Sequence, residues 1–405
     1  MIWMTYSYYE IIKTFLDQSQ FDMNYSTPWH VDPLDFAVSL LRLIDNPDGI
    51  NQSLFGFCGE VAFLRTWAYR DPDAVAEFAI ELYKTGKSNI GDYKVKACKQ
   101  LLNSTWIKEH NVPIGAAVWM ICGALADSEF NFFEGSPDDD SGTGDNWLAL
   151  WLKKTNQYYK KPKVYTRNIW GIIPRKSHID HALKLKPDSY TDVIIVINTY
   201  MFVKGKSSPH IAISPSYKGR PHYVALNKPI SIVNGNVHIS IWTWAKSYEL
   251  VISKEHFNDL FHGSIVAYSN KPKRANYYVC CEKGETLEKQ GKYLEAIEIY
   301  DKVIGINPDF ARAWCCKGNA LRKSKRIGEA LKIYDKALNT NPIDGQSGLW
   351  YNKGVALGKL DKYEEAIKVY DNAIKMDSRN YAAKSNLRIA QEKLRIYNNS
   401  DGVKI

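Results

Sequence analysis

One cysteine in the sequence has the surroundings of a nucleophile. Cys58 stands at the start of a predicted helix, in the segment NQSLFGFCGEVAFL. The unpaired N–H groups and the dipole of a helix N-terminus lower the pKa of a thiol and so favour the reactive thiolate. Gln52 lies six residues earlier, where a turning loop can bring its amide beside the sulfur as an oxyanion donor. The spacing therefore indicates acyl-transfer chemistry on a thiol, for which a base is also needed.

The base has to be a histidine from a distant part of the chain. His222 opens a predicted strand, HYVALN, and is the preferred candidate because an Asn-Gly turn and the strand VHISIWTW follow it. His210, in SPHIAIS, is an alternative. A third residue usually orients the imidazole, but VHISIWTW contains no acid or amide. Thr243 or Ser240 could supply a weaker hydrogen bond to the ring, and Asn227 or Asn236 could reach it from neighbouring positions.

These motifs resemble those of papain-like cysteine peptidases over roughly residues 50–268. Gln-x5-Cys-Gly opening a helix, with His-Tyr-Val-Ala-Leu opening a later strand, is most similar to the bacteriocin-processing type and to toxin-associated peptidase-like domains. The segments DSEFNFF and IWTWAK also resemble that toxin-associated group. The resemblance implies that Cys58 is the nucleophile, His222 its base and Gln52 part of the oxyanion hole. Glu60 departs from the family pattern, because it replaces the usual Pro with an anion that disfavours the thiolate.

The elements that must position these residues are helices first and strands later. The segment 60–86 predicts two helices that meet at Asp71-Pro72, with Asp71 as the N-cap and Gly86 just past the end. Short β-rich runs separated by turn residues predict strands over 192–198, 210–214, 222–227, 237–244 and 264–269. This order predicts an α+β papain-like domain over residues 50–270, preceded by an N-terminal extension, 1–49.

The C-terminal third of the chain repeats itself. Lys-Gly dipeptides recur at Gly284, Gly318 and Gly354, 34 and then 36 residues apart, and an Ala and a Tyr recur with them at fixed offsets. The pattern resembles the tetratricopeptide repeat, in which small residues let two helices cross closely and proline ends the second helix. It predicts an all-α solenoid of three repeats and a capping helix over residues 277–397.

The repeat resemblance implies that a protein or peptide partner binds in the concave groove. The family uses positions 2, 5, 9, 12 and 13 of each repeat. The carboxylate clamp of chaperone-binding members is absent, because Cys281 and Glu285 replace its first Lys and Asn. A chaperone-tail reader is therefore disfavoured. The groove positions include Tyr278, Cys281, Glu285, Lys289, Arg312, Cys315, Asn319, Arg322, Lys323, Tyr351 and Lys359.

Charge and composition disfavour several other classes of protein. The chain has 405 residues and a net charge of +9, and residues 153–186 account for that whole excess with ten Lys and Arg against one Asp. Nucleic-acid binding is therefore disfavoured, because the positive charge is confined to one strip. No apolar run approaches the roughly 20 residues of a membrane helix. Seven cysteines are too few for a disulfide framework in a chain of this length and indicate a reducing, cytoplasmic location.

Metal and cofactor sites are also not expected. Successive side chains on a helix point about 100° apart, so the pairs Cys280/Cys281 and Cys315/Cys316 should pack rather than share one ion. The pair His178/His181 lacks a third ligand at suitable spacing.

The sequence thus leads to two hypotheses about function. The first is a cysteine peptidase or related thiol acyl-transfer hydrolase whose repeats recruit a protein partner or substrate. The second is a catalytically inactive, peptidase-like binding domain on a tetratricopeptide-repeat scaffold.

Overall fold

In a computed structural model of the chain, two compact units are separated between Arg274 and Ala275. The structure describes residues 8–21, 26–50, 57–104, 115–130, 145–155, 157–158, 160–166, 176–204, 206–207, 221–243, 245–269, 272–274 and 276–401.

The N-terminal unit begins with helices whose ends follow the capping residues. Asp71 caps its helix by accepting the Ala74 N–H at 3.1 Å, and Gly86 ends that helix in the left-handed region at φ 71°. The two helices expected over 60–86 are therefore confirmed. The helices of this unit are α1 (Tyr8–Phe21), α2 (Pro33–Asp45), α3 (Cys58–Arg70), α4 (Pro72–Thr85), α5 (Lys99–Leu102), α6 (Ala116–Phe130), α7 (Asp145–Lys154), α8 (Lys176–Ala182), α9 (Tyr200–Lys204) and α10 (Lys254–Leu260).

Most strands of the unit form one antiparallel sheet. Its order is β3-β10-β4-β6-β8-β9-β5, with β7 paired to β8, while β1 and β2 form a separate hairpin. An apolar core lies where α8, α9 and α10 cover the sheet. The strands are β1 (Lys87–Ile90), β2 (Tyr93–Lys96), β3 (Lys163–Thr166), β4 (Thr191–Asn198), β5 (Lys206–Ser207), β6 (Pro221–Leu226), β7 (Ser231–Val233), β8 (Asn236–Thr243), β9 (Lys246–Ser253) and β10 (Phe261–Tyr268).

The sheet matches the predicted strands in part. Four of the five expected runs are strands, namely β4, β6, β8 and β10, and the fifth, 210–214, lies outside the described residues. Strand β9 was not predicted, although Tyr248, Leu250 and Ile252 alternate as buried residues along it. Helices plus an antiparallel sheet support the α+β class.

The predicted extension contains two helices that belong to the same unit. α1 packs against α4, and α2 packs against α6. The hydroxyl of Tyr8 in α1 donates to the Asp45 carboxylate at the end of α2, at 2.6 Å. No helix in the described part of the chain is both long and apolar enough to cross a membrane.

The C-terminal unit is an all-helical solenoid of paired helices. A Cβ added to the glycine at the eighth position of each repeat would come within 2.2–2.5 Å of a tyrosine ring on the paired helix. Only glycine allows this approach, which explains why Gly and Tyr recur together. The pairs are Gly284 with Tyr300, Gly318 with Tyr334, and Gly354 with Tyr370. The helices are α11 (Tyr277–Lys289), α12 (Tyr293–Ile306), α13 (Ala311–Lys323), α14 (Ile327–Asn339), α15 (Gln346–Gly358), α16 (Tyr363–Met376) and α17 (Tyr381–Asp401).

Candidate functional site

The Cys58 sulfur lies against the first residues of β6. Cys58 opens α3 and is half-buried, and its sulfur accepts a hydrogen bond from the backbone N–H of Tyr223. β6 pairs with β8 at Ala225 and Leu226, so the start of β6 extends beyond that pairing towards α3. The fold therefore brings the thiol to the residue that follows His222, although the two are far apart in sequence.

His222 is buried and held by a hydroxyl of the neighbouring strand. Its side chain is 6% exposed, and its Nε2 lies 2.6 Å from Oγ1 of Thr243 at the end of β8. The ring of Phe202 meets the imidazole edge to face at 6.3 Å between centroids. Thr243 thus fixes the plane of the ring through Nε2.

The other candidates for the third residue are engaged elsewhere. The Ser240 hydroxyl donates to Glu249 at 2.8 Å, and the Asn227 amide donates to Ser247 at 3.1 Å. Asn236 is exposed at the start of β8. Of these four candidates, Thr243 is the residue for which the structure shows a hydrogen bond to the His222 ring. Gln52 and the alternative base His210 lie outside the described residues.

Burial sets the protonation states of the pair. Burial raises the pKa of the Cys58 thiol to about 12, against the lowering effect of the Tyr223 N–H, and the Glu60 carboxylate raises it further. Burial lowers the pKa of His222 to about 3. Among the described hydrogen bonds, none joins the Cys58 sulfur to the His222 ring. At neutral pH both shifts favour the uncharged forms, a thiol at Cys58 and an imidazole at His222.

A buried charge cluster holds α3 against the sheet. Asp192, at the start of β4, accepts from Arg70 Nε of α3 at 2.8 Å, from the Tyr158 hydroxyl at 2.8 Å and from Lys273 Nζ at 2.7 Å. Burial alone would raise the pKa of Asp192, but Lys273 and Arg70 hold it below its usual value. Sequence reasoning missed this cluster, because Arg70 and Asp192 are 122 residues apart.

A second contact fixes the middle of α3. The Arg65 guanidinium lies 4.6 Å above the ring of Trp242 and 2.7 Å from the Asp48 carboxylate. The indole N–H of Trp242 donates to the backbone oxygen of Asp48 at 2.9 Å. The segment IWTWAK, noted for its resemblance to the toxin-associated group, thus supplies both Trp242 against α3 and Thr243 against His222.

The predicted partner groove contains ion pairs and buried thiols. Arg312 pairs with Glu285 at 3.0 Å and lies 4.9 Å from the centre of the Tyr278 ring. Cys281 is fully buried in the core of the first repeat, so its side chain offers no surface to a partner. Cys316 donates to Glu285 at 3.4 Å.

The two histidines of the His178/His181 pair hydrogen-bond different side chains. Nδ1 of His178 lies 3.2 Å from the Tyr165 hydroxyl, and Nε2 of His181 lies 2.9 Å from the Ser264 hydroxyl. The described residues contain no group of three or more His, Cys, Asp or Glu that could hold a metal ion.

Comparison with known proteins identifies the repeats. Two family models of the tetratricopeptide repeat match the chain, one over residues 281–347 and the other over residues 348–380. No curated protein matches the chain.

Several solved structures resemble part of the chain. The first TPR domain of human RPAP3 is 29% identical, over 31% of this chain and 96% of that one, with a TM-score of 0.28. The first TPR of Spaghetti (RPAP3) bound to an HSP90 peptide is 28% identical, over 29% and 93%, with a TM-score of 0.26. The Arabidopsis OM64 TPR domain is 24% identical, over 30% and 95%, with a TM-score of 0.26. The family models show that the C-terminal unit contains tetratricopeptide repeats, a module that mediates protein–protein interaction.

Proposed function

We propose that the N-terminal unit is a papain-like thiol peptidase or related acyl-transfer domain, to which the repeats bring a protein partner or substrate. The observation that carries this proposal is the hydrogen bond from the Tyr223 N–H to the Cys58 sulfur. It brings the N-terminus of α3 to the strand residue next to His222, which Thr243 orients from the other side of the ring.

The neutral resting pair favours general-base catalysis over a preformed ion pair. His222 would take the thiol proton as the Cys58 sulfur attacks a substrate carbonyl, and would then return it to the leaving amine. Water would hydrolyse the resulting thioester by the reverse sequence of proton transfers. Thr243 would keep the ring oriented through Nε2, so the proton would move through Nδ1. Gln52 keeps its predicted role as an oxyanion donor.

A second candidate is the catalytically inactive binding domain. The specific observation that favours it is the pair of pKa values, about 12 for Cys58 and about 3 for His222, since both disfavour the charged forms that an active dyad uses. In this case the same thiol and imidazole would only pack between α3 and the sheet.

The pH dependence of Cys58 alkylation separates the two candidates. The rate of iodoacetamide labelling at Cys58 would be measured by mass spectrometry from pH 5 to pH 11 in wild type, His222→Ala and Thr243→Val, with Cys58→Ala as the blank. If the site is a dyad, His222→Ala slows labelling at pH 7 by about tenfold or more, because the base is lost. Ser240→Ala is the matched control, since it removes a hydroxyl of the same strand that does not bind His222.

Two results would contradict the proposal. One is a labelling rate that only rises with pH, towards pH 12, and is unchanged by His222→Ala. This result would favour the inactive domain. The other is titration of Cys58 near pH 8.5 without dependence on His222, which is the behaviour of a free thiol.

A further inference from the structure

The N-terminal unit contains a cleft at the far end of α3 from Cys58. Its volume is about 350 Å³, within the ~300–1,000 Å³ of small-molecule sites. Described residues of α4, of the β1–β2 hairpin and of the end of α7 line it, together with Trp67 of α3. Trp67 is nine residues beyond Cys58 in α3, which places it about 14 Å further along the helix axis. The cleft is therefore separate from the thiol.

One side chain that lines the cleft carries a buried donor without an acceptor. Trp67 is 3% exposed, and its indole Nε1 has no hydrogen-bond partner in the described part of the chain. The rings of Phe63 and Phe78 pack against the indole, at 5.4 and 5.3 Å between centroids, so the ring is held in place. Trp242 of the same unit, by contrast, donates its indole N–H to a backbone oxygen. A buried N–H left unpaired costs stability, which an oxygen atom of a ligand would restore.

The α4 wall of the cleft is acidic. Glu77 and Glu81 occupy exposed positions one helical turn apart, and Asp71 precedes them as the N-cap of α4. The Ser88 hydroxyl donates to Glu81 at 3.2 Å, and the Gln157 amide donates to Asp71 at 2.6 Å. Both partners are uncharged, and none of the described ion pairs includes any of the three acids. Their negative charges therefore stay unneutralised within the described part of the chain.

The lysine that lines the cleft is paired with an acid outside its wall. Lys154 pairs with Asp92, which is not among the described residues that line the cleft. Lys154 and Thr155 also bring the C-terminal end of α7 to the cleft, and the C-terminus of a helix carries partial negative charge. These surroundings favour a positive ligand. An organic cation fits better than a metal ion, because the described residues contain no cluster of three or more His, Cys, Asp or Glu able to hold a metal.

We infer that this cleft binds a small organic cation, a protonated amine that also carries a neutral oxygen atom. The ammonium group lies against Glu77 and Glu81, and the oxygen accepts the indole N–H of Trp67. The rings of Trp67 and Phe78 supply the aromatic surface against which ammonium groups also bind. The inference does not depend on the chemistry at Cys58.

The probe for the test is phenylalaninol, which is a protonated amine at pH 7 and has a hydroxyl oxygen. The full chain, isotope-labelled on its tryptophan indole nitrogens, is titrated with it and followed by NMR. The Trp67 resonance should shift in a saturable way with a Kd of roughly 1 mM, whereas the Trp242 resonance should stay in place. Trp67→Phe assigns the resonance by its loss. If that variant does not fold, Phe78→Leu assigns it by the lost ring-current shift.

Analogues and variants separate the two contacts. Phenethylamine lacks the oxygen and should bind about fivefold more weakly, and N-acetylphenylalaninol lacks the cation and should bind about tenfold more weakly. Glu77→Gln combined with Glu81→Gln should weaken phenylalaninol binding about tenfold without lowering the melting temperature, since both residues are exposed. Glu255→Gln is the matched control, because Glu255 is an exposed acid of α10 in the same unit and should leave the affinity unchanged.

Three results would overturn the inference. One is a Trp67 resonance that phenylalaninol does not shift, because the cleft then holds solvent alone. Another is equal affinity for phenylalaninol and either analogue, since the oxygen or the cation is then not recognised. The third is binding that the double variant of Glu77 and Glu81 leaves unchanged.

Discussion

The contacts inside the repeats differ in kind from the contacts inside the N-terminal unit. In the repeats, the same contact occurs three times at nearly fixed spacing, as the approach of Gly318 to Tyr334 and its two equivalents show. In the N-terminal unit, the contacts that place the site occur once and join distant residues. Arg70 and Asp192 are 122 residues apart, and Trp242 and Asp48 are 194 apart. The repeats should therefore tolerate the loss of one contact better than the N-terminal unit tolerates the loss of one charge.

The largest expected effect is on the buried charge cluster. Asp192→Asn leaves the cations of Arg70 and Lys273 without their anion, which costs about 3–5 kcal/mol of unfolding free energy. Urea unfolding, with hydrogen exchange followed on peptides of each unit, measures this loss and locates it. We expect it in the N-terminal unit and not in the repeats. Lys228→Gln is the control, since its exposed pair with Glu249 should contribute less than ~1 kcal/mol. A similarly small loss for Asp192→Asn would show that the buried cluster does not stabilise the N-terminal unit.

The next effect concerns acid stability. The pKa of His222 is about 3 in the folded protein, against an ordinary value of 6.5. As pH falls from 6.5 towards 3, the unfolded chain binds a proton that the folded chain excludes, so stability present above pH 6.5 is lost across that window. The loss amounts to roughly 4 kcal/mol. Urea unfolding of wild type and His222→Gln at several pH values tests this, because the variant should lose less stability on acidification. Parallel pH profiles for the two proteins would show that His222 is not buried in its neutral form.

A smaller effect is expected in the repeats. Gly318→Ala places a Cβ 2.2 Å from the Tyr334 ring, and such overpacking costs about 1–3 kcal/mol. Gly284→Ala and Gly354→Ala should have similar costs, since their rings lie at similar distances. Gly328→Ala is the matched control, because its Cβ meets no atom within 4 Å and should stabilise the helix by up to ~1 kcal/mol. Thermal unfolding measures all four variants, and equal melting temperatures for Gly318→Ala and Gly328→Ala would refute the packing argument.

The smallest effect concerns the acid in the first turn of α3. The Glu60 carboxylate raises the pKa of Cys58 in addition to the larger effect of burial. Glu60→Gln should therefore lower that pKa and speed iodoacetamide labelling of Cys58 at pH 8 by about threefold. The conservative Glu60→Asp keeps the charge and should change the rate less. Slower labelling in Glu60→Gln would mean that the carboxylate assists the thiol.

The contrast between the units also explains which features of the structure could be predicted from the sequence and which could not. Capping residues such as Asp71 and Gly86, and the Gly–Tyr spacing of the repeats, act within a few turns of chain and are visible as local patterns. His222 was preferred over His210 from its place at the start of a strand and from the motifs that follow it, and Thr243 was one of four alternatives for the third residue. The Asp192 cluster had no local signal, because its partners come from three separate segments. The burial that raises the pKa of Cys58 was not predicted either, because the extent of burial cannot be read from a sequence.

In the proposed mechanism, Cys58 and His222 act together on a carbonyl. A peptide vinyl sulfone, which reacts with cysteines activated by a base, tests it at pH 7 by intact-mass measurement of the full chain. We expect one adduct on Cys58 that forms about a hundredfold more slowly in His222→Ala, with Ser240→Ala reacting like wild type. An adduct that forms at the same rate in wild type and His222→Ala, or no adduct on Cys58, would contradict it.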